Sequence, residues 1–157
     1  MGDNNLNLQR GVVKVRPHVI LEHGYDAVQD IKSFYLADPE LKLVKTLRLT
    51  FTRKKAEEFY AQHKGKFFFE NLMKTTTEDE SALLLFEGPN AIEKIRKITG
   101  PTDSRKAPKG TVREKYGIKA PPGVKDPGSK NGVHASDSVE SATREERIGW
   151  VNIKGLE

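Results

Sequence analysis

Asn131-Gly132-Val133-His134-Ala135-Ser136-Asp137-Ser138 is the stretch on which the reading of this chain turns. A short apolar lead-in carries one histidine into a run of small hydroxyl and carboxylate residues of the kind that open a helix. A histidine at such a strand–helix junction can be held in one orientation with a ring nitrogen facing solvent, as a phosphate-accepting nucleophile requires. Asp137 followed by Glu140 makes a capping-box-like start for a last helix over about residues 138–148. The N-terminus of that helix offers unpaired N–H groups and a positive dipole end, both favourable to phosphate. Val139, Ala142 and Glu145 share one stripe of the helix by their spacing. A carboxylate on an inward face wants a hydrogen-bonded partner, and His134 is the available one. A carboxylate gripping one ring N–H would fix the tautomer and leave the other nitrogen bare. From spacing alone, a partly buried structural histidine with Glu145 at the surface accounts for the same residues. His18, His23 and His63 lack a comparable setting and read as surface or structural.

Upstream, Val12-Val13-Lys14-Val15-Arg16 reads as a strand ended by Pro17, with Lys14 and Arg16 on one face. Ala27, Val28, Ile31, Phe34 and Tyr35 recur at helical intervals. The alternation over residues 41–51 suggests a half-buried strand. Thr52 is placed to cap a helix from Arg53 through Phe59 and Tyr60. Gly65 breaks it, and a second helical piece carries Phe67, Phe68, Phe69, Leu72 and Met73. Ala82-Leu83-Leu84-Leu85-Phe86 is a continuous apolar run, the candidate for the sheet centre. Pro89 reads as the first turn of a helix bearing Ile92, Ile95 and Ile98 that stops at Gly100. Residues 101–112 and 119–130 are irregular, with a short helix around 112–116 between them. The order of elements predicts an α+β fold, an antiparallel sheet with helices packed on it as an α/β sandwich. Residues 1–9 read as a flexible N-terminal segment and 10–157 as a single domain.

The 157 residues suit one domain and contain no cysteine, so disulfides and thiolate metal sites are excluded and a cytoplasmic home is the default. No stretch approaches a bilayer-spanning apolar run, and residues 1–5 lack the pattern of a secretory signal. The net charge of +5 admits polyphosphates, nucleic acid or merely a solvated surface. The positive residues are scattered among acidic ones, without the basic and aromatic stripe that stacks single-stranded bases.

The stretch Asn131-x-Val133-His134-Ala135-Ser136-Asp137-Ser138-x-Glu140-Ser141-Ala142-x-x-Glu145 resembles the active-site signature of the nucleoside diphosphate kinase family. Residues 56–66 with Phe68-Phe69-Glu70-Asn71-Leu72 are similar to that family's nucleotide-lid helices. Glu87-Gly88-Pro89-Asn90-Ala91-Ile92, Arg96, Gly100-Pro101-Thr102-Asp103 and Gly110-Thr111-Val112-Arg113 follow in family order. The resemblance spans residues 11–150 and implies a ferredoxin-like sheet. It also implies ping-pong transfer of a γ-phosphoryl group from a nucleoside triphosphate to a nucleoside diphosphate through a phosphohistidine. In that scheme His134 attacks, Glu145 holds its other nitrogen, and Ser136 supports the carboxylate. Arg96, Thr102 and Arg113 hold the phosphates. Phe68 stacks on the base and Leu72 lines its slot. Asn131 reaches the ribose, and Tyr60 offers its hydroxyl near the γ-phosphate. Mg²⁺ is expected on the nucleotide phosphates, with no dedicated protein metal site. The resemblance also implies a homo-oligomer, tetramer or hexamer.

The chain departs from the family pattern at several places, among them Glu22-His23-Gly24, Ala107-Pro108-Lys109-Gly110 and Arg113-Glu114-Lys115-Tyr116. Where the family's first strand ends Lys-Pro-Asp, this chain has Arg16-Pro17-His18. Arg16 keeps the charge on a wider planar head, and Lys14 is the alternative donor to the γ-phosphate. Residues 119–130 look like an insertion just before the histidine strand. Ala135 stands where glycine is commoner. A second expectation follows from these changes: a catalytically weakened relative that binds nucleotides or nucleic acid.

Overall fold

The computed structural model describes residues 7–126 and 128–150. Strands β1 (Leu8–Val15), β2 (Lys42–Leu49), β3 (Ser81–Pro89) and β4 (Val133–Ala135) form one sheet in the order β2-β3-β1-β4. Every neighbouring pair is antiparallel. Helices α1 (Pro17–His23), α2 (Tyr25–Leu36), α3 (Arg53–Phe59), α4 (Phe69–Thr77), α5 (Ala91–Thr99), α6 (Val112–Tyr116) and α7 (Val139–Trp150) cover it. The result is the α+β sandwich expected from the order of elements, with the ferredoxin-like sheet that the resemblance implies.

Strand alternation divides the core in two. Val13 and Val15 join Leu84 and Phe86 on one face, against Val28, Ile31 and Tyr35 of α2 and Ile95 of α5. Val12, Leu83 and Leu85 face the other way, toward Phe59, Met73 and Ile148 of α3, α4 and α7. The run 82–86 is fully or nearly fully buried in β3, between β2 and β1 at the sheet centre, as its unbroken apolar character requires.

Several boundaries differ from the sequence reading. The loose segment expected over residues 1–9 falls partly outside the described residues, yet Leu8 and Gln9 already belong to β1, opposite Pro89 and Gly88. The domain's expected end, residues 151–157, lies outside the described residues. Pro17 does not merely stop a strand; it opens α1, where its missing N–H costs nothing. Pro89, expected inside a helix, closes β3 instead. Asn90 follows in the left-handed region at φ 52°, and α5 starts only after that turn. The cap of α7 is Ser138, whose Oγ accepts from the Ser141 N–H at 3.0 Å; the Asp137–Glu140 box is one residue out of register. Asp137 instead accepts from Gln62 Nε2 at 3.0 Å. Thr52 caps α3 as expected, accepting from Lys55 N–H at 3.1 Å.

Candidate active site

β4 is only three residues long, and its position is fixed from both ends. Ser136 N–H donates to Val12 O at 3.0 Å, and Val12 N–H donates to Ser136 Oγ at 2.9 Å. At the other end Arg16 N–H donates to Gly132 O at 3.0 Å, and Gly132 N–H donates to His18 Nε2 at 3.0 Å. Gly132 sits at φ +94°, a conformation that side chains rarely adopt, and an added Cβ would press on Tyr116 backbone at 3.2 Å. His18 is therefore a structural acceptor, and it must stay neutral to accept. Burial, with Arg16 next, pushes its pKa down to about 3.

This register sets His134 directly opposite Lys14 on the α3–α4–α7 side of the sheet. The imidazole is 7% exposed, packed edge-on against Phe59 and Tyr60 with centroids 5.1 Å and 5.3 Å away. Glu145, fully buried on the inward face of α7, brings Oε1 to 2.8 Å from His134 Nε2. The separation is that of a hydrogen bond, although the alignment falls short of one. Ser136 Oγ donates to the same Oε1 at 2.6 Å. Ala142 shares the inward stripe, whereas Val139, placed there by spacing, is 48% exposed. Burial lowers the His134 pKa; Glu145 pulls it up, and Arg16 and Lys14 push it down. A neutral ring with Nε2 turned to the acid leaves Nδ1 as the other nitrogen.

His134 lines a cleft of about 370 Å³. Arg16, Tyr60, Phe68 and Leu72 line it too, as do Arg96, Thr102, Arg113 and Asn131. All eight residues singled out for nucleotide binding thus meet around one histidine, while Glu145 and Ser136 stand behind it. Four of them, Arg16, Tyr60, Asn131 and Arg113, have side chains bonded within the chain. Arg16 Nε donates to Asn131 Oδ1 at 2.9 Å and its Nη1 to Tyr60 Oη at 3.1 Å. Asn131 Nδ2 donates to Thr102 O at 3.0 Å. Arg113 donates to Val133 O at 2.9 Å and to Gly100 O at 3.0 Å. Burial and the nearby Arg16 push its pKa down to about 10, so the guanidinium remains charged at neutral pH.

Lys14 does not join them. Its side chain is fully buried, with Nζ donating to Thr76 Oγ1 at 3.3 Å and lying 4.6 Å from the Tyr60 ring centroid. Burial, then Arg16, lowers its pKa well below the usual lysine value, against the pull of Glu145. Of the two first-strand cations, Arg16 is the one that lines the cleft. His63, read as surface or structural, lines the cleft as well, between Tyr60 at 6.1 Å and Phe68 at 5.3 Å. Its spacing of three from Tyr60 was the available signal. Lys125, Asp126 and Ser129 of the irregular segment 119–130 also line the cleft, and nothing in their local pattern announces it. Among the described residues, no three His, Cys, Asp or Glu side chains cluster as metal ligands. No helix among them is long and apolar enough to cross a membrane.

A ferredoxin-like sandwich with a histidine–carboxylate pair beneath an arginine-lined cleft defines a recognisable class. Residues 9–152 match the family model described as nucleoside diphosphate kinase. The chain belongs to that family. A nucleoside diphosphate kinase of Staphylothermus marinus is 39% identical over 143 residues, covering 91% of this chain and 93% of that protein. One of Bdellovibrio bacteriovorus is 42% identical over 120 residues, or 76% and 79% of the two chains. The crystal structure of the Aquifex aeolicus nucleoside diphosphate kinase superposes with a TM-score of 0.78 at 30% identity, covering 96% of this chain and 98% of that one.

Proposed function

We propose that this protein is a nucleoside diphosphate kinase, moving the γ-phosphoryl group of a nucleoside triphosphate to a nucleoside diphosphate in two half-reactions through His134. The observation that carries this reading is the buried Glu145 carboxylate 2.8 Å from His134 Nε2, on the side of the ring away from Nδ1. In the first half-reaction the Nδ1 lone pair attacks the γ-phosphorus. The bond to the bridging oxygen breaks, and the diphosphate leaves with that electron pair. The Nε2 proton stays beside Glu145, whose charge offsets the positive ring, while Ser136 holds the carboxylate in place. A terminal phosphate oxygen of the second nucleotide then attacks the phosphorus, the P–Nδ1 bond breaks, and its electron pair returns to the neutral ring.

Arg96 and Arg113 bring positive charge to the phosphates, and Arg16 does so at the first-strand end, with Thr102 beside them. Phe68 offers a stacking face and Leu72 an apolar wall, Asn131 reaches the ribose, and the Tyr60 hydroxyl lies near the γ-phosphate. Mg²⁺ would be held by the nucleotide phosphates and not by the guanidinium groups of the cleft, and there it would offset phosphate charge. A cytoplasmic homo-oligomer, tetramer or hexamer, completes the reading, and light scattering at the mass of a single chain would contradict that part.

With γ-labelled ATP and millimolar Mg²⁺, the wild type is expected to retain acid-labile, alkali-stable label that His134→Ala lacks. An unlabelled wild type would overturn the reading. One observation favours a weakened enzyme as the second reading: Arg16 is engaged by Asn131 and Tyr60. Turnover rising about tenfold in Arg16→Lys, equivalent to roughly 1.4 kcal/mol of barrier, would support it.

A further inference from the structure

Lys14 is the one lysine or arginine among the described residues that is wholly shut off from solvent. It shares a face of β1 with Arg16 and stands opposite His134 across the β1–β4 pair. Side chains paired in this way on an antiparallel sheet are close neighbours. Its Nζ lies 4.6 Å, 5.2 Å and 5.6 Å from the ring centroids of Tyr60, Phe51 and Phe59. Tyr60 and Phe59 are the rings that pack on the imidazole. Ammonium and imidazole are thus walled in by the same two aromatics.

A buried ammonium is unfavourable where an apolar side chain would fill the same space, unless an opposite charge accompanies it. Burial and Arg16 work against the Lys14 charge, while Glu145 works for it. The three ring faces favour the charged form too, and Thr76 Oγ1 accepts one Nζ hydrogen at 3.3 Å. On the acid, Oε1 takes the Ser136 hydroxyl and faces the imidazole, whereas Oε2 is buried with no hydrogen-bond partner. Arg144 Nη2 stands 3.9 Å from Oε2, beyond bonding distance, and donates instead to Gln62 Oε1. A neutral imidazole beside a buried carboxylate leaves negative charge in the interior, which attracts a proton to ring or acid. A cation sealed in the same compartment counters that attraction.

The titratable and charged groups facing the ring are Arg16 and Lys14 from β1, Tyr60 from α3, His63 from the turn after it, and Glu145 from α7. Beyond burial, Glu145 draws a proton toward the ring, and Arg16 and Lys14 oppose it. Arg16 lines the cleft, so a phosphate bound beside it offsets its charge. Lys14 lies behind the ring, away from the cleft lining, and acts on it with or without a nucleotide.

We propose that Lys14 is a positioning residue for phosphotransfer, a sealed ammonium that keeps the His134–Glu145 pair free of an extra proton while nucleotides come and go. The assignment rests on the phosphotransfer reading above. Lys14 touches no substrate and acts through the pair.

Lys14→Met nearly keeps the side-chain length and removes the charge. The pH profile of kcat, and nitrogen-15 resonances of the His134 ring in the free protein, both follow the pair's proton. The pair titrates as a unit, and both midpoints are expected to rise by about one pH unit over wild type. Calorimetric affinity for ADP at high pH is expected to stay at the wild-type value. Unmoved midpoints would make Lys14 a filler of the core and overturn the assignment, as would a downward move. The wild type supplies a test without substitution, since the Lys14 Nζ resonance is expected to report a charged amine wherever His134 titrates. A neutral amine there would also overturn it. A wild type that transfers no phosphate at any pH, with midpoints that still rise in Lys14→Met, would instead overturn the phosphotransfer reading and with it the role in the reaction.

Discussion

The histidine strand with its helix, residues 131–150, and the segment just before it, residues 119–130, flank the same cleft and are held in different ways. The first is clamped by backbone bonds at Gly132 and Ser136, by a buried carboxylate, and by rings packed against the imidazole. The second runs mostly exposed, and the Asp126 carboxylate, with its bonds to Asn71 and Ser129, ties it to α4. Chemistry demands a reacting atom held to a fraction of an ångström, whereas a wall that only bounds a cleft tolerates a looser mount. The contrast sets tightly held chain around His134 beside more exposed chain lining the same cleft.

The sharpest way to break this contrast is His134→Ala. Loss of the nucleophile is expected to reduce turnover by about four orders of magnitude or more while leaving nucleotide binding near wild type. Isothermal titration beside steady-state kinetics separates the two, and retained turnover would place the nucleophile elsewhere.

Glu145→Gln comes next, at about a hundredfold in kcat. Burial, Arg16 and Lys14 hold the imidazole below its ordinary value while Glu145 alone opposes them. Removing that charge lowers the pKa further, so the acidic limb of the pH–rate profile moves to lower pH. A limb that moved upward would show that the carboxylate has some other role.

A third effect is on stability. His18 is neutral in the fold, with its pKa depressed from 6.5 to about 3. The unfolded chain binds a proton first as pH falls, so this contribution is present above about 6.5 and is lost progressively down to about 3. Urea midpoints measured across that range are expected to decline, and His18→Gln to flatten the decline. An unchanged slope would remove His18 from the clamp.

Ser138→Ala is smaller, about 1 kcal/mol for a lost helix cap. Thermal unfolding checks it, with Asp137→Ala as the contrast, since Asp137 does not cap α7. The smallest effect belongs to the looser wall: Ser129→Ala removes one tether of Asp126, and unfolding is expected to change by no more than about 0.5 kcal/mol.

Much of this was readable from residues. The unbroken apolar run in β3, the period of α2 and the cap at Thr52 depend on neighbours in sequence, and local chemistry decided them. The cleft residues Arg96, Thr102 and Arg113 were readable only through resemblance, because nothing in their own spacing says that α5, α6 and the chain between them converge on one cleft. Pro89 misled because proline suits a strand end as well as a helix start, and only the left-handed turn at Asn90 separates the two. The choice between Lys14 and Arg16 required knowing where the strand stops. Burial of Lys14 follows from that stop, and no pattern in the five residues 12–16 contains it. The place of Asp126 in the cleft wall stayed hidden because it depends on a contact with Asn71, 55 positions away.

The three-residue length of β4 has a consequence of its own. Pleating is binary, so slipping that ribbon by one place would swing the imidazole through the sheet into the compartment of Val28 and Ile95. Such a misthreaded molecule would keep its helices and its circular dichroism while being chemically mute. The paired latches at Gly132 and Ser136 are what exclude it, and a fault in either is expected to produce inert protein before it produces unfolded protein.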